Sequence, residues 1–232
     1  MFTDLVYKYE AGGDPGTVST GAGDLGGVSY GIFQLASNTG AVQSFIDWGV
    51  TYADEGLAHY AELLGELEIG SGQFNRAWRY IAEQDRAGFE ELQTAYAAET
   101  YYWPAIAALQ GEGYDPEKLS EALRAVVFSR AVQYGAGNMV ELFDEAVHCM
   151  YNSDRDDYSG WPNLTYVNDP AYDYDVIAAV YDFLVRECDN ATSRGNMYHS
   201  PKDWVNGSAD VVAGLRNRFI NEKADALEML KP

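Results

Sequence analysis

The sequence is poor in basic residues. It has 15 Lys and Arg against 36 Asp and Glu, a formal charge of −21 at pH 7. Nucleic acid is excluded as a partner, because its affinity is carried by Lys and Arg on phosphates. An anionic membrane surface is excluded for the same reason. There are only two cysteines, Cys149 and Cys188. Far apart, they make no redox or disulfide motif and are expected as buried free thiols. His59, His148 and His199 lack metal-ligand spacing, so no metal site is expected; nor is any cofactor. No serine sits in a nucleophile elbow. No apolar run is long enough to cross a bilayer, so no membrane insertion is expected. The start, Met1-Phe2-Thr3-Asp4, has no leader-like pattern. Repeats, low-complexity stretches and linkers are missing too, so residues 1–232 are expected to form a single domain.

The sequence is instead rich in helical periodicity and, in one place, in glycine. Phe2, Leu5, Val6 and Tyr9 lie at helical spacing and end on Glu10. Gly12 and Gly13 stop that helix. Gly16, Gly21, Gly23, Gly26, Gly27 and Gly31 follow, with Asp24 among them. Such a density makes tight turns and close backbone approaches. A carboxylate closing a helix, facing a turn-rich loop with a second one, meets the needs of two-carboxylate sugar hydrolysis. The helix dipole disfavours charge on Glu10, and Phe2, Tyr9 and Phe33 are placed to desolvate it, which suits a proton donor. Backbone N–H groups of the glycine turn would keep Asp24 ionised, which suits a base. The plainer alternative is a surface glutamate and a turn aspartate.

Helices are expected over Val42–Val50, Asp54–Glu68, Gln73–Glu83 and from Asp85 to a kink or end at Pro104. The next starts at Asp115-Pro116 and runs to Gly135, the most apolar and so the central one. Further helices cover Met139–Met150 and Asp173–Glu187, and Ser208 caps the last. Residues 151–171 and Cys188–Asp203 read as loops. The acidic run Asn152, Asp154, Asp156 and Asp157 lacks the glycine and closing glutamate of a calcium loop. Tyr158, Trp161, Tyr166, Tyr198 and Trp204 are loop aromatics available to stack on sugar faces. Arg130 and Arg218 are candidates to hold a carboxylate network, with a solvent-facing role as the alternative.

Gly23-Asp24-Leu25-Gly26-Gly27-Val28-Ser29-Tyr30-Gly31-Ile32 resembles the segment of glycoside hydrolase family 46 chitosanases that carries the catalytic aspartate. Gly31-Ile32-Phe33-Gln34-Leu35, with Ser37 and Thr39, resembles a segment of goose-type lysozymes and lytic transglycosylases. Asp85-x3-Phe89-x3-Gln93 and Ser129-Arg130-Ala131-Val132-Gln133-Tyr134-Gly135 are further, weaker matches. The resemblance is to the lysozyme-like superfamily, nearest its chitosanase-like phage peptidoglycan hydrolases, and its specific part covers about thirty residues. It implies a mainly α, α+β lysozyme-like fold, two-lobed, with a β-hairpin at residues 18–35 beside a cleft. It also implies Glu10 as acid, Asp24 as base and Ser29 as the holder of the attacking water. Tyr30, Gln34, Thr39, Gln133 and Tyr134 would bind substrate. The substrate would be peptidoglycan, with chitosan or a non-catalytic binding or tail component as alternatives. The expected protein is a monomeric endolysin or virion lysin. It would be made in a host cytoplasm, leave by lysis, a holin-like pore or the virion, and act on the cell wall.

Overall fold

In a computed structural model, residues 2–11, 13–21, 26–151 and 163–231 are described. The chain is mainly helical with small antiparallel sheets, as the periodicity and the expected hairpin implied. It divides into two compact units. One comprises Met1–Tyr9 and Tyr101–Pro232; the other is the continuous stretch Glu10–Thr100.

The continuous unit opens with the glycine-rich loop. Strands β1 (Ser29–Tyr30) and β2 (Leu35–Ala36) form a two-stranded antiparallel ladder, with Tyr30 opposite Leu35, and Val18 bridges Tyr30 from the other side. Four helices follow: α2 (Ala41–Tyr52), α3 (Glu55–Gly65), α4 (Gly72–Gln84) and α5 (Arg86–Ala97). Their starts are set by side-chain caps. Asp54, Ser71 and Asp85 accept from the N–H of Gly56, Phe74 and Gly88 at 3.1, 3.1 and 3.0 Å. The core is aromatic. Trp78 is fully buried, with the rings of Tyr30, Phe45 and Phe89 at 5.1, 5.5 and 4.9 Å between centroids.

The chain then takes a π-helical turn, Ala98–Tyr102, into α6 (Trp103–Gly111). Pro104 therefore does not end the helical path. It sits in the first turn of α6, directly after the π-helical turn. The expected helix start at Asp115-Pro116 also shifts. Pro116–Lys118 form one 3-10 turn, Leu119 is extended, and Ser120 caps α7 (Glu121–Tyr134) through the N–H of Leu123 at 3.2 Å.

In this second unit α7 is buried around most of its circumference, as a central helix should be. Nine of its residues are buried, and it contacts α1 (Asp4–Tyr9), α6, α8 (Met139–Tyr151), α9 (Asp173–Asp189) and α10 (Ala209–Glu228). The expected loop at Cys188–Asp203 holds part of a three-stranded antiparallel sheet, β3 (Thr192–Arg194), β4 (Met197–His199) and β5 (Asn206–Gly207). Both cysteines are free, Cys188 buried and Cys149 half-buried. Burial pushes the Cys188 thiol up to about 11. The acidic run at Asn152–Asp157 and the aromatics Tyr158 and Trp161 lie outside the described residues.

Candidate functional site

The glycine-rich loop is built around a tight turn. Gly31 (φ +69°) and Gln34 (φ +53°) are both left-handed, and the Gln34 side chain donates to the Gly31 carbonyl at 2.9 Å. A buried amide ties the turn down. Gln93 on α5 accepts from the N–H of Ile32 at 2.9 Å and donates to the Pro15 carbonyl at 3.0 Å. The Trp78 indole donates to the same carbonyl at 2.7 Å. Serine hydroxyls tie the flanks. Ser29 donates its N–H to Ser19 Oγ at 2.8 Å, and Val28 donates to Ser37 Oγ at 3.0 Å. Asp85, Phe89 and Gln93 thus have structural work as cap, core ring and clamp.

The residues singled out in the sequence fall in different places. Glu10 is half-buried in the turn that ends α1. Asp24 lies outside the described residues. Ser29 is half-buried on β1. Tyr30 is fully buried, with its hydroxyl donating to Asn75 and its pKa raised by burial. Gln34 and Thr39 are exposed, and Thr39 donates to the Ala36 carbonyl at 3.0 Å. Gln133 and Tyr134 belong to the other unit, at the end of α7. The rings expected to desolvate Glu10 have other partners: Phe2 packs on Tyr102 at 5.1 Å, Phe33 packs against the aromatic core, and Tyr9 donates to Asp225.

The largest charged assembly is one the sequence showed only by halves. Arg130 and Glu222 are both fully buried and pair at 2.6 Å. Ser129 donates to Glu222, Arg130 donates to the Gln133 side chain, and Arg218 Nε lies 3.6 Å from Glu222. Arg130 also sits over the rings of Tyr181 and Phe219, at 5.5 and 5.3 Å. Burial, then the Glu222 charge, holds the Tyr181 hydroxyl far above its usual pKa. Arg130 pairs with a carboxylate and Arg218 lies beside the same one, although at least one of the two was expected to face solvent; Glu222 itself was missed. Its signal was its spacing: Phe219, Glu222 and Ala226 form one buried face of α10.

One turn further on, Asp225 ties α1 to α10. It accepts from Lys8 at 2.5 Å and from Tyr9. Burial pushes its pKa up, but Lys8 and Tyr9 outweigh that and hold the carboxyl below the usual aspartate value. A carboxyl lowered on folding adds stability above its unfolded pKa and loses it as pH falls through the folded value. The parent should therefore be more stable than Asp225→Asn at neutral pH, and the gap should close as the pH falls through and below the usual aspartate range. Urea unfolding at several pH values measures it; a gap that widens in acid would contradict the pairing.

Among the described residues no helix is long and apolar enough to cross a membrane, and no three His, Cys, Asp or Glu side chains cluster as metal ligands.

Residues 3–223 match the family model described as type VI secretion system spike protein VgrG3-like, C-terminal. The chain is also 36% identical over 129 residues to the type VI secretion system spike protein VgrG3 of Vibrio cholerae serotype O1, a match covering 55% of this chain and 12% of that protein. These matches correct several expectations. They point to a secretion-spike C-terminal region, not to a lysozyme- or chitosanase-like phage glycoside hydrolase. The expectation of a glycosidase enzyme is overturned with it. So are the monomeric lysin bound to peptidoglycan or chitosan and the route by lysis, holin or virion to the wall. The physical reason is that the hydrolase likeness rested on about thirty residues dominated by turn glycines. Any chain that needs such a turn draws on those residues.

Proposed function

Since the chain belongs to the type VI secretion system spike protein VgrG3-like C-terminal family, we propose that it is a folded domain borne by a secretion spike, acting there by binding, without catalysis. The extent of the match carries this reading. It takes in nearly the whole of both compact units, where the hydrolase likeness took in one loop. Because the chain spans 12% of its spike relative, the partners and activity of a whole spike are part of the proposal. The charge of −21 supports it by keeping a travelling domain soluble and off nucleic acid.

Within this reading the glycine-rich loop is a recognition element. Gln34 and Thr39 are its outward contacts, and Glu10 and Ser29 its polar surroundings. Tyr30 shapes it from the core. Gln133 and Tyr134 supply contacts from their own unit.

Export and wall digestion test the proposal together. In cells with a working type VI secretion system the protein should reach the medium, and in cells lacking that system it should be retained. The purified protein should leave a peptidoglycan suspension turbid. Clearing of that suspension, abolished by Glu10→Gln, would overturn the binding reading; so would export without the secretion system.

A further inference from the structure

The loop joining β4 to β5 carries an unusual backbone. Asp203 is left-handed, at φ +60°, although it is not glycine. Aspartate tolerates this better than most residues, yet it still costs about 1 kcal/mol and persists only where the surroundings dictate it. Trp204 follows, half-buried. With Tyr134, Asn138, Glu141 and Lys202, these two line a cavity of about 190 Å³, all within one compact unit.

The walls have a definite chemistry. The Tyr134 and Trp204 rings meet edge to face, 5.3 Å apart and at 88°. Trp204 is fixed by its indole N–H, which donates to Glu145 at 2.9 Å, and by Phe183 at 6.4 Å. Asn138 donates its amide N–H to the Tyr134 carbonyl at 2.7 Å, which leaves its side-chain oxygen as an acceptor. Ring faces and amide oxygens both favour a cation.

The charges point the same way. The cavity's one ammonium, Lys202, is held by Glu145 at 2.7 Å, and its backbone N–H donates to Glu187 at 3.1 Å. Glu141 has no hydrogen bond or ion pair among the described residues. Among the described residues the Asp203 carboxylate has only His199, at 3.7 Å, and its side chain is 72% exposed. Arg130 lies 6.0 Å from the centre of the Tyr134 ring, but its charge is committed to Glu222. Two carboxylates are thus in surplus beside two aromatic rings.

We propose that this cavity is a binding site for an alkylammonium group. Its volume is below the roughly 300–1,000 Å³ of pockets that take whole drug-sized ligands, so it fits an ammonium with a few methylenes. A lysine side chain of a partner protein and a free alkylamine share that chemistry.

NMR titration of the full chain tests the site. n-Butylammonium chloride should shift the Trp204 indole and Asp203 backbone signals and saturate. n-Butanol and sodium chloride should leave them in place. Glu141→Gln, an exposed change that keeps the fold, should weaken binding about threefold or more. Asp203→Asn keeps the left-handed backbone and should weaken it similarly. Nα-acetyl-lysine amide binding tighter than butylammonium assigns a protein side chain; equal binding assigns a free amine. Shifts as large with n-butanol, shifts that follow chloride salt alone, or no loss in either variant overturn the site.

Discussion

Gly31→Ala should destabilise the protein by about 3 kcal/mol or more, a fall in Tm of about 10 °C for a chain of this length. Two independent costs meet at this position. A methyl at φ +69° is strained, by about 1–2 kcal/mol. It would also stand 2.1 Å from Gln93 Oε1 and 3.1 Å from the Trp78 ring, both in the fully packed core. Gln93 cannot step aside without releasing the Ile32 N–H and the Pro15 carbonyl, each a buried group whose loss costs about 1–3 kcal/mol. Gln93→Ala removes the clash and those bonds together. The double variant should therefore be less destabilised than the sum of the two singles. Thermal unfolding of the three variants gives the answer; a Gly31→Ala protein that melts with the parent would mean that the turn is not held in this form.

Glu222→Leu should cost about 3–5 kcal/mol, because it strands the Arg130 guanidinium in a site that is fully buried. Arg130→Met should cost a comparable amount by stranding the carboxylate. The double variant should be far more stable than either single. Removing both charges removes the desolvation that their attraction had to offset. Tyr181 and Phe219, which face Arg130, would then meet an apolar side chain. Urea unfolding of the set of four gives the coupling; strictly additive losses would mean the pair does not interact.

Much of the fold was written locally. Asp54, Asp85 and Ser208 each marked a helix start because each satisfies an N–H that the helix leaves open, and Ser71 does so for α4, whose start was expected at Gln73. Asp115-Pro116 looked like a start, but Ser120 caps the helix and the earlier pair makes a single 3-10 turn. The β3–β4 hairpin was not expected because its strands are three residues long and bury none of their side chains fully. Its turn, Gly195-Asn196 with Gly195 at φ +70°, carried a legible signal. Arg130 could be suspected of holding an acid, but not which acid, because Glu222 lies 92 residues further along the chain. The family was illegible for another reason. Its match extends over residues 3–223, whereas the dense glycine motif occupies about thirty of them.

The division of the chain fixes an order of events during synthesis. The unit from Glu10 to Thr100 is contiguous and has all its partners as soon as its last helix leaves the ribosome. Helix α1 emerges before it, yet its anchor Asp225 is 217 residues beyond Lys8. At roughly 5–20 residues per second, α1 waits about ten to forty seconds for α10. Until α7 follows, the buried face of α1, Leu5 and Val6, lacks its main partner, and the tie to α10 comes later still. Within this stretch α1 is therefore made before the helices that hold it, and it completes its docking only when α10 arrives.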